Sequence, residues 1–441
     1  MEAAVSRPAP LFELQHTGAT PVCWSYGMGA ESTAGVVRTL LDPGFRPPEL
    51  LEDLSNLIVM TAQTGDEWSS TADLVERHVL PLLRQYRVRM VEVARAGPAQ
   101  RDGIVVLQDT RTPQRMHADP VEHGFFALSD EHRGNGVLPQ LGGSRKCSSK
   151  AKGGPLDVWR AREVGSRPYV HAVGFSATEG NRIVGDAAVT LGGQRRAIYP
   201  IHAAGLSRED CRDYLHELFG VWWPKSCCRQ CPFSGGKTGW PEQLARFQAL
   251  PAEAAPHLAD EYVTVALNKR SGLFGPGGTL REKLELGQAT AVLALAEEAI
   301  AAADWALYRV RRCYSAPAAA WRAVEVVHRG DRLSATLLLA ELADRLGRRP
   351  GLRHEGGHTR LWLAERHGDR YPQVEEFYVA APAQVHDKAR EGFDTRWRTC
   401  VGEDLLDLED ETAAALIDLT GTSAPTSAES SLFAATNTGP Q

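Results

Sequence analysis

A chain of 441 residues is long enough for two or three domains with cores of their own. At 43% apolar and 24% charged residues it reads as globular, and a formal charge of −6 gives no overall drive toward nucleic acid or an anionic membrane, so any such binding has to come from a local basic patch. No apolar run reaches the roughly 18 residues of a transmembrane helix, no charged leader precedes an apolar segment at the start, and eight cysteines in so long a chain are not a secreted disulfide framework; a cytoplasmic setting is expected, where clustered thiols serve as metal ligands or reactive groups.

Residues 1–17, with Pro8 and Pro10, predict a mobile lead. Residues 20–37, TPVCWSYGMGAESTAGVV, predict a short buried strand, a loop carrying Ser25, Gly27 and Gly29, and a helix opened by Glu31, Ser32 and Thr33. Glycine has no Cβ and tolerates positive φ, so such a loop can approach a ligand closely. The unpaired N–H groups and positive dipole end of the following helix attract an anion, most naturally phosphate. An ordinary strand–turn–helix corner would show the same pattern. Residues 56–62, NLIVMTA, predict a second buried strand that ends in Gln63, Thr64, Gly65, Asp66 and Glu67. Residues 70–86 place Leu74, Val75, Val79, Leu82 and Leu83 on one helical face, and residues 87–93 alternate as a third strand. This succession predicts an α/β fold with a doubly wound parallel sheet, in which ligands lie beyond the carboxyl ends of the strands, where both polar loops fall.

Residues 96–143, rich in Gly, Pro, His and Arg, predict a long functional loop or lid. Residues 158–162 read as helix, 169–175 as a further strand, and 207–220 as a helix with Ser207 as N-cap and Gly220 as stop. A helical extension over 246–304 then follows the first domain of 18–245. Strand-like alternation and one amphipathic helix over 305–420 predict a small α+β domain, with partner binding as its default role, and the Ser-, Thr- and Ala-rich residues 421–441 predict a disordered tail.

Four groups of residues could carry chemistry. Hydroxyls and backbone amides of Ser25, Gly27, Gly29, Ser32 and Thr33 could hold a pyrophosphate, although no Gly-Lys-Ser/Thr makes this a Walker loop. Thr64 and Gly65 lead into the adjacent carboxylates Asp66 and Glu67, which could hold Mg²⁺ or simply favour a helix N-terminus. Cys147 lies among Arg145, Lys146, Lys150 and Lys152; cationic surroundings activate a thiol as a nucleophile and equally neutralise a triphosphate, and a solvated basic loop would look the same. Cys227, Cys228 and Cys231 contain a C-x-x-C step, half of a zinc or iron–sulfur site that Cys147 could complete, or a pair of inert thiols.

Taken in order, these motifs resemble the PP-loop proteins of the adenine nucleotide α-hydrolase-like superfamily, and within it the PAPS-reductase-type proteins of bacteria and phages. The loop from Ser25 to Thr33 resembles their S-x-G-G-G-V-x-S-T, Thr64-Gly65-Asp66-Glu67 stands where they have D-T-G-x-E, and residues 145–152 resemble R-x-C-T-x-x-x-K. Gly174 through Glu179 and Arg182 resembles G-I-x-x-x-E-x-x-R, Tyr199-Pro200-Ile201 resembles Y-P-L, and residues 225–233 resemble K-S-x-C-x-x-C-P-F. The resemblance covers about residues 18–245. It implies a Rossmann-like (HUP-type) domain that binds ATP or a related adenylyl nucleotide with Mg²⁺ through the two loops, Arg145, Glu179 and Arg182. It implies attack at the α-phosphate with release of pyrophosphate, or reductive transfer of a sulfonyl group, with Cys147, Lys150, Asp66 and Glu67 as catalytic residues. A related group, the sulfurtransferases of DNA phosphorothioation, carries a four-cysteine iron–sulfur cluster, for which Cys147, Cys227, Cys228 and Cys231 are the candidate ligands here, with zinc as the other metal. The acceptor could be DNA, tRNA or a small molecule. Three residues depart from the pattern: Met28 and Ala30 replace Gly and Val, and Gln63 replaces Asp. No Glu-Cys-Gly-x-His motif is present, which argues against a sulfate-assimilation reductase.

Overall fold

The computed structural model describes residues 18–141, 146–189, 193–234, 236, 239–275, 278–317, 319–348, 351–367 and 370–421. The expected lead of residues 1–17, all but the first residue of the expected tail, and Arg145 lie outside the described residues.

The first sheet is made of β1 (Val22–Ser25), β2 (Leu57–Gln63), β3 (Arg89–Arg95), β4 (Ile104–Thr110), β5 (Tyr169–Val173) and β6 (Arg195–Ile198), in the order β4-β3-β2-β1-β5-β6. Five strands run parallel, and β4 closes one edge antiparallel to β3. β2 and β3 are buried at every position. A parallel strand covered on both faces has no polar side to alternate with, which is why the Leu-Ile-Val-Met run of β2 is continuous. Strand order reverses between β1 and β5, because the chain winds outward from β1 through β2 and β3 before returning to its other side. That reversal opens a crevice at the carboxyl ends of β1 and β5.

Helix α1 (Ala30–Leu41) lies directly on β1. A Cβ on Gly35 would stand 2.5 Å from the Trp24 ring, so only a glycine lets the helix sit this close. Around that contact Trp24, Val36, Val37, Leu40 and Ile201 form part of one buried cluster.

Residues 96–143 hold more regular structure than their composition predicts. Besides β4 they contain the helices Pro120–His123 and Leu128–Asn135. β4 is an edge strand with no fully buried residue, so its pattern is diluted by polar positions.

The second sheet is antiparallel throughout. It comprises β7 (Trp305–Ala316), β8 (Ala319–Gly330), β9 (Leu352–Glu355), β10 (His358–Ala364), β11 (Gln373–Pro382) and β12 (Lys388–Ala389), in the order β12-β8-β7-β11-β10-β9. One face packs Leu307, Leu361 and Tyr378 against the helices Arg332–Arg345 and Glu403–Thr420. On the other face Tyr308, Val310, Trp362 and Phe377 meet Val263, Ala266 and Leu267 at the end of the helix Pro251–Leu267. The first half of that same helix buries Ala254, Ala255 and Leu258 with Trp68 and Cys227, beside the first sheet's loops. Arg360 fastens its carboxyl end, donating Nε to the Ala266 carbonyl at 3.0 Å and Nη2 to that of Val265 at 2.5 Å. Among the described residues no helix is long and apolar enough to cross a membrane.

Candidate functional site

The loop that leaves β1 enters α1 through Gly29, an extended N-cap residue with no side-chain cap. The first-turn amides of α1 therefore lack the side-chain acceptor that commonly satisfies them, which is the arrangement of an anion cradle. Positive φ falls on neither predicted glycine but on Met28, at 59°, where the resembled family has glycine. Met28 is buried, and its carbonyl accepts from Trp223 Nε1 at 3.0 Å, so packing holds a conformation that an L-residue disfavours. An added Cβ at Gly27 or Gly29 would meet only ordinary contacts, 3.9 Å from Ser32 Oγ and 3.6 Å from Ser226 Oγ.

Ser25 ends a relay of hydrogen bonds. Arg195 Nε donates to His171 Nδ1 at 2.8 Å, which leaves Nε2 as the protonated ring nitrogen, donating to Ser25 Oγ at 2.7 Å. The hydroxyl hydrogen of Ser25 is then available to an anion. Burial, helped by the Arg195 charge, pushes His171 down to about 3 and keeps the ring neutral. Ser32 keeps 9% exposure and donates to the Gly29 carbonyl at 3.1 Å, whereas Thr33 has none and lies 3.2 Å from Tyr26 Oη, so its hydroxyl belongs to the core.

Beyond β5, Glu179 accepts from the Ser176 amide at 3.1 Å and pairs with Arg182 at 2.5 Å, while the Arg182 guanidinium lies 4.4 Å over the Phe175 ring. Arg208 pairs with Glu31 in the first turn of α1 at 2.5 Å and adds a cation that sequence reasoning did not single out.

One segment ties the two polar loops together. Trp223 and Ser226 hold the β1 loop, with Ser226 Oγ donating to the Gly27 carbonyl at 2.5 Å. Cys228 bridges Glu67 in strand fashion, the Arg229 amide donates to the Asp66 carbonyl at 2.9 Å, and the Arg229 guanidinium donates to that of Glu67 at 2.9 Å. Thr64 Oγ1 lies 3.4 Å from Cys228 Sγ. Gly65 makes the turn at φ 77°, where an added Cβ would fall 2.7 Å from that of Ala127.

Asp66 and Glu67 are both buried. Asp66 accepts from the Ser129 amide at 2.7 Å and lies 3.7 Å from His257 Nε2; burial pushes its carboxyl up to about 6. Glu67 Oε1 pairs with Lys152, and its Oε2 is a buried acceptor with no partner among the described residues. Lys150 pairs with Glu131 at 2.6 Å.

Gln63 has a structural reason to differ from aspartate. Its Nε2 donates at 2.5 Å to Glu92, a fully buried carboxylate that also accepts from Gln108 at 2.6 Å and from the His117 amide at 3.0 Å. A second carboxylate here would face the first in a low dielectric. Gln63→Glu should therefore destabilise the fold at neutral pH by about 3 kcal/mol, the scale of an uncompensated buried charge; a thermal melt unchanged from the parent would refute the contact.

The cysteines lie near one another without converging. Cys228 is in extended backbone, so Cys227 points the opposite way, donating to Gln243 Oε1 at 3.4 Å inside the cluster of Trp68 and Phe247. Burial pushes Cys227 up to about 12 and raises Cys228 as well. Cys231 is within electrostatic reach of both Cys227 and Cys147. Among the described residues no three His, Cys, Asp or Glu side chains are grouped so as to hold a metal ion. Comparison with family models, with curated proteins and with solved structures finds no match to this chain.

Proposed function

We propose that the chain is a PP-loop-type enzyme that binds ATP or an adenylyl nucleotide in the crevice between β1 and β5, adenylates an acceptor by attack at the α-phosphate, and releases pyrophosphate. The observation that carries this reading is the uncapped first turn of α1 beside a Ser25 hydroxyl free to donate, both at the point where strand order reverses. Arg182 and Arg208 supply positive charge along the same crevice, each already oriented by a carboxylate. Mg²⁺ bound with the nucleotide would offset phosphate charge, and the orphan Oε2 of Glu67 is the acceptor that suits it. Transfer of sulfur would fall to Cys147, a half-buried thiol beside Lys146: loaded as a persulfide by an external sulfane-sulfur donor, it would displace AMP from the adenylated acceptor, and a second thiol would then release the thiolated product by forming a disulfide with Cys147. Zinc or an iron–sulfur cluster would need Cys227 to turn out of its apolar cluster, and no step of the proposed reaction passes through such a group.

Nucleotide binding without turnover is a second reading, favoured by the burial of Asp66 and Glu67 and their engagement with Ser129 and Lys152. Pyrophosphate release from ATP separates the two. Ser32→Ala removes a hydroxyl from the cradle and should lower turnover by about tenfold or more, the loss of a hydrogen bond to a charged group. Unchanged turnover in that variant would place the active site elsewhere. Nucleotide binding with no pyrophosphate released by the parent protein would select the second reading.

A further inference from the structure

The second sheet gathers positive charge at one end, in a chain whose net charge is −6. Arg312 of β7 and Arg322 of β8 stand directly opposite each other in the strand register, and Lys388 of β12 pairs with Val324, two residues along from Arg322 on the same face. Like charges directly opposite destabilise a sheet unless something neutralises them. Arg312 is neutralised by Glu375 at 3.3 Å and also donates to the Leu267 carbonyl. Arg322 and Lys388 have no carboxylate partner among the described residues, and the neighbouring Asp387 is turned to the Val326 amide at 2.5 Å.

Two further cations reach the same place from other segments. Arg270 follows the helix Pro251–Leu267 and is near enough to act on Tyr314. Arg366, just beyond β10, lies 4.6 Å over the Tyr314 ring and 5.8 Å from that of Tyr371. Its Nη1 is buried with no hydrogen-bond partner among the described residues. Five cations from five segments thus converge, and Glu375, the carboxylate among them, is already used by Arg312 and Tyr314. Burial and the neighbouring Arg322 and Arg312 push Lys388 down to about 7, as expected of a cation with no anion beside it. The one Arg366 guanidinium held over tyrosine rings, next to unneutralised cations, suits a phosphate backbone with exposed bases, on which a guanidinium plane can stack.

We propose that this end of the second sheet binds the phosphate backbone of a single-stranded nucleic acid. The surface stands independently of the nucleotide crevice; that the strand bound here is the acceptor of adenylation is a link that rests on the function proposed above. The test is binding without ATP. Fluorescence anisotropy with a labelled single-stranded oligonucleotide of about 20 residues, in DNA and RNA form, should show affinity that falls as salt rises. Arg322→Glu with Lys388→Glu should weaken binding by about tenfold or more and flatten the slope of log affinity against log salt by about 1.4, two phosphate contacts at about 0.7 each. The same double variant should melt no lower than the parent, since it removes like-charge repulsion, which separates lost binding from lost folding; Arg322→Gln with Lys388→Gln should give the same directions with a smaller loss. Absence of oligonucleotide binding at low salt, equal binding by the double variant, or saturation by inorganic phosphate with no effect of the oligonucleotide would each overturn the proposal. Because pyrophosphate release is measured separately, failure here leaves the nucleotide reading standing, and failure there leaves this surface standing.

Discussion

Gly174→Ala is expected to weaken nucleotide binding by about a hundredfold while leaving the fold in place. Gly174 follows β5, where the chain turns past the first turn of α1. A Cβ built there would stand 2.9 Å from Ser32 Cα and 3.2 Å from the Ser32 amide nitrogen. Those are backbone atoms, with no flexible side chain to move aside, so the methyl has to push the start of α1 away from β5. The glycine's φ is not positive, which makes the effect steric and not conformational. A shift of about 1 Å in groups that orient a reacting phosphate is worth about 10² in rate or affinity. Overpacking of this kind costs about 1–3 kcal/mol in stability, which a protein of this size can carry. Gly185→Ala is the matched control: it sits in the nearby helix Gly180–Ala187, and nothing lies within 4 Å of its added Cβ. Nucleotide affinity measured by titration calorimetry should fall in the first variant and hold in the second. Equal affinity in both would mean that the crevice beside Ser32 is not where the nucleotide sits.

The elements legible in the sequence are those whose pattern reflects a single environment. β2 is wholly buried, and its apolar run says so; β3 is buried too but reads as alternating, because Arg89, Glu92 and Arg95 are buried within it. The long strands β7 and β8 show alternation because each packs helices on both faces unevenly, leaving partly exposed positions. β4 lacks such a signal, since an edge strand with no fully buried residue looks like a polar loop. The two polar loops were legible as strand ends, and their closeness follows from β1 and β2 being neighbours. What binds them together was not. Ser226 meets Gly27 across 199 residues, and Arg229 meets Glu67 across 162, contacts that no local pattern encodes. Arg195 and His171 at Ser25 were missed for the same reason: the pair is set by the register of β1, β5 and β6, and a lone histidine in a strand reads as core. Met28 and Gln63 were legible only as departures from a motif. Their reasons, the Trp223 contact and the buried Glu92, are tertiary.

Acid should unfold the chain between about pH 5 and pH 4, after a gradual loss of stability that begins below about pH 6.5. Four histidines are held neutral by burial: His132 is pushed down to about 4, His171 and His358 to about 3, and His257 well below its ordinary value. A histidine whose folded pKa is depressed binds fewer protons in the folded state, so its contribution is complete above its unfolded value of about 6.5 and is lost as pH falls below it. At about 1.4 kcal/mol for each pH unit, each of these rings costs about 3 kcal/mol by pH 4. Two buried carboxyls act in the opposite sense. Burial raises Asp66 to about 6 and Glu376 to about 7, so the folded state binds their protons first and gains stability as pH falls through those values. That gain reaches about 3 kcal/mol apiece and stops once the unfolded carboxyls protonate near pH 4. Asp260 and Glu261, also raised by burial, act in the same sense. By pH 5 the four rings cost about 8 kcal/mol while Asp66 and Glu376 return about 4 kcal/mol, so the carboxyls offset about half of the loss. Below about pH 4.5 the carboxyl gain is exhausted while the histidine loss continues, and the net loss of about 6 kcal/mol by pH 4 is comparable with the whole stability of an ordinary domain. Tryptophan fluorescence is the readout, because Trp24, Trp68, Trp223 and Trp397 are fully buried. His358 isolates one ring's share: it packs tilted against Tyr262 with ring centroids 4.1 Å apart, and its Nδ1 has no partner among the described residues. His358→Phe should keep the ring contact, remove the titration and move the acid midpoint to lower pH. A midpoint unchanged in that variant, or a parent protein that stays folded at pH 3, would show that these rings are not held neutral by the fold.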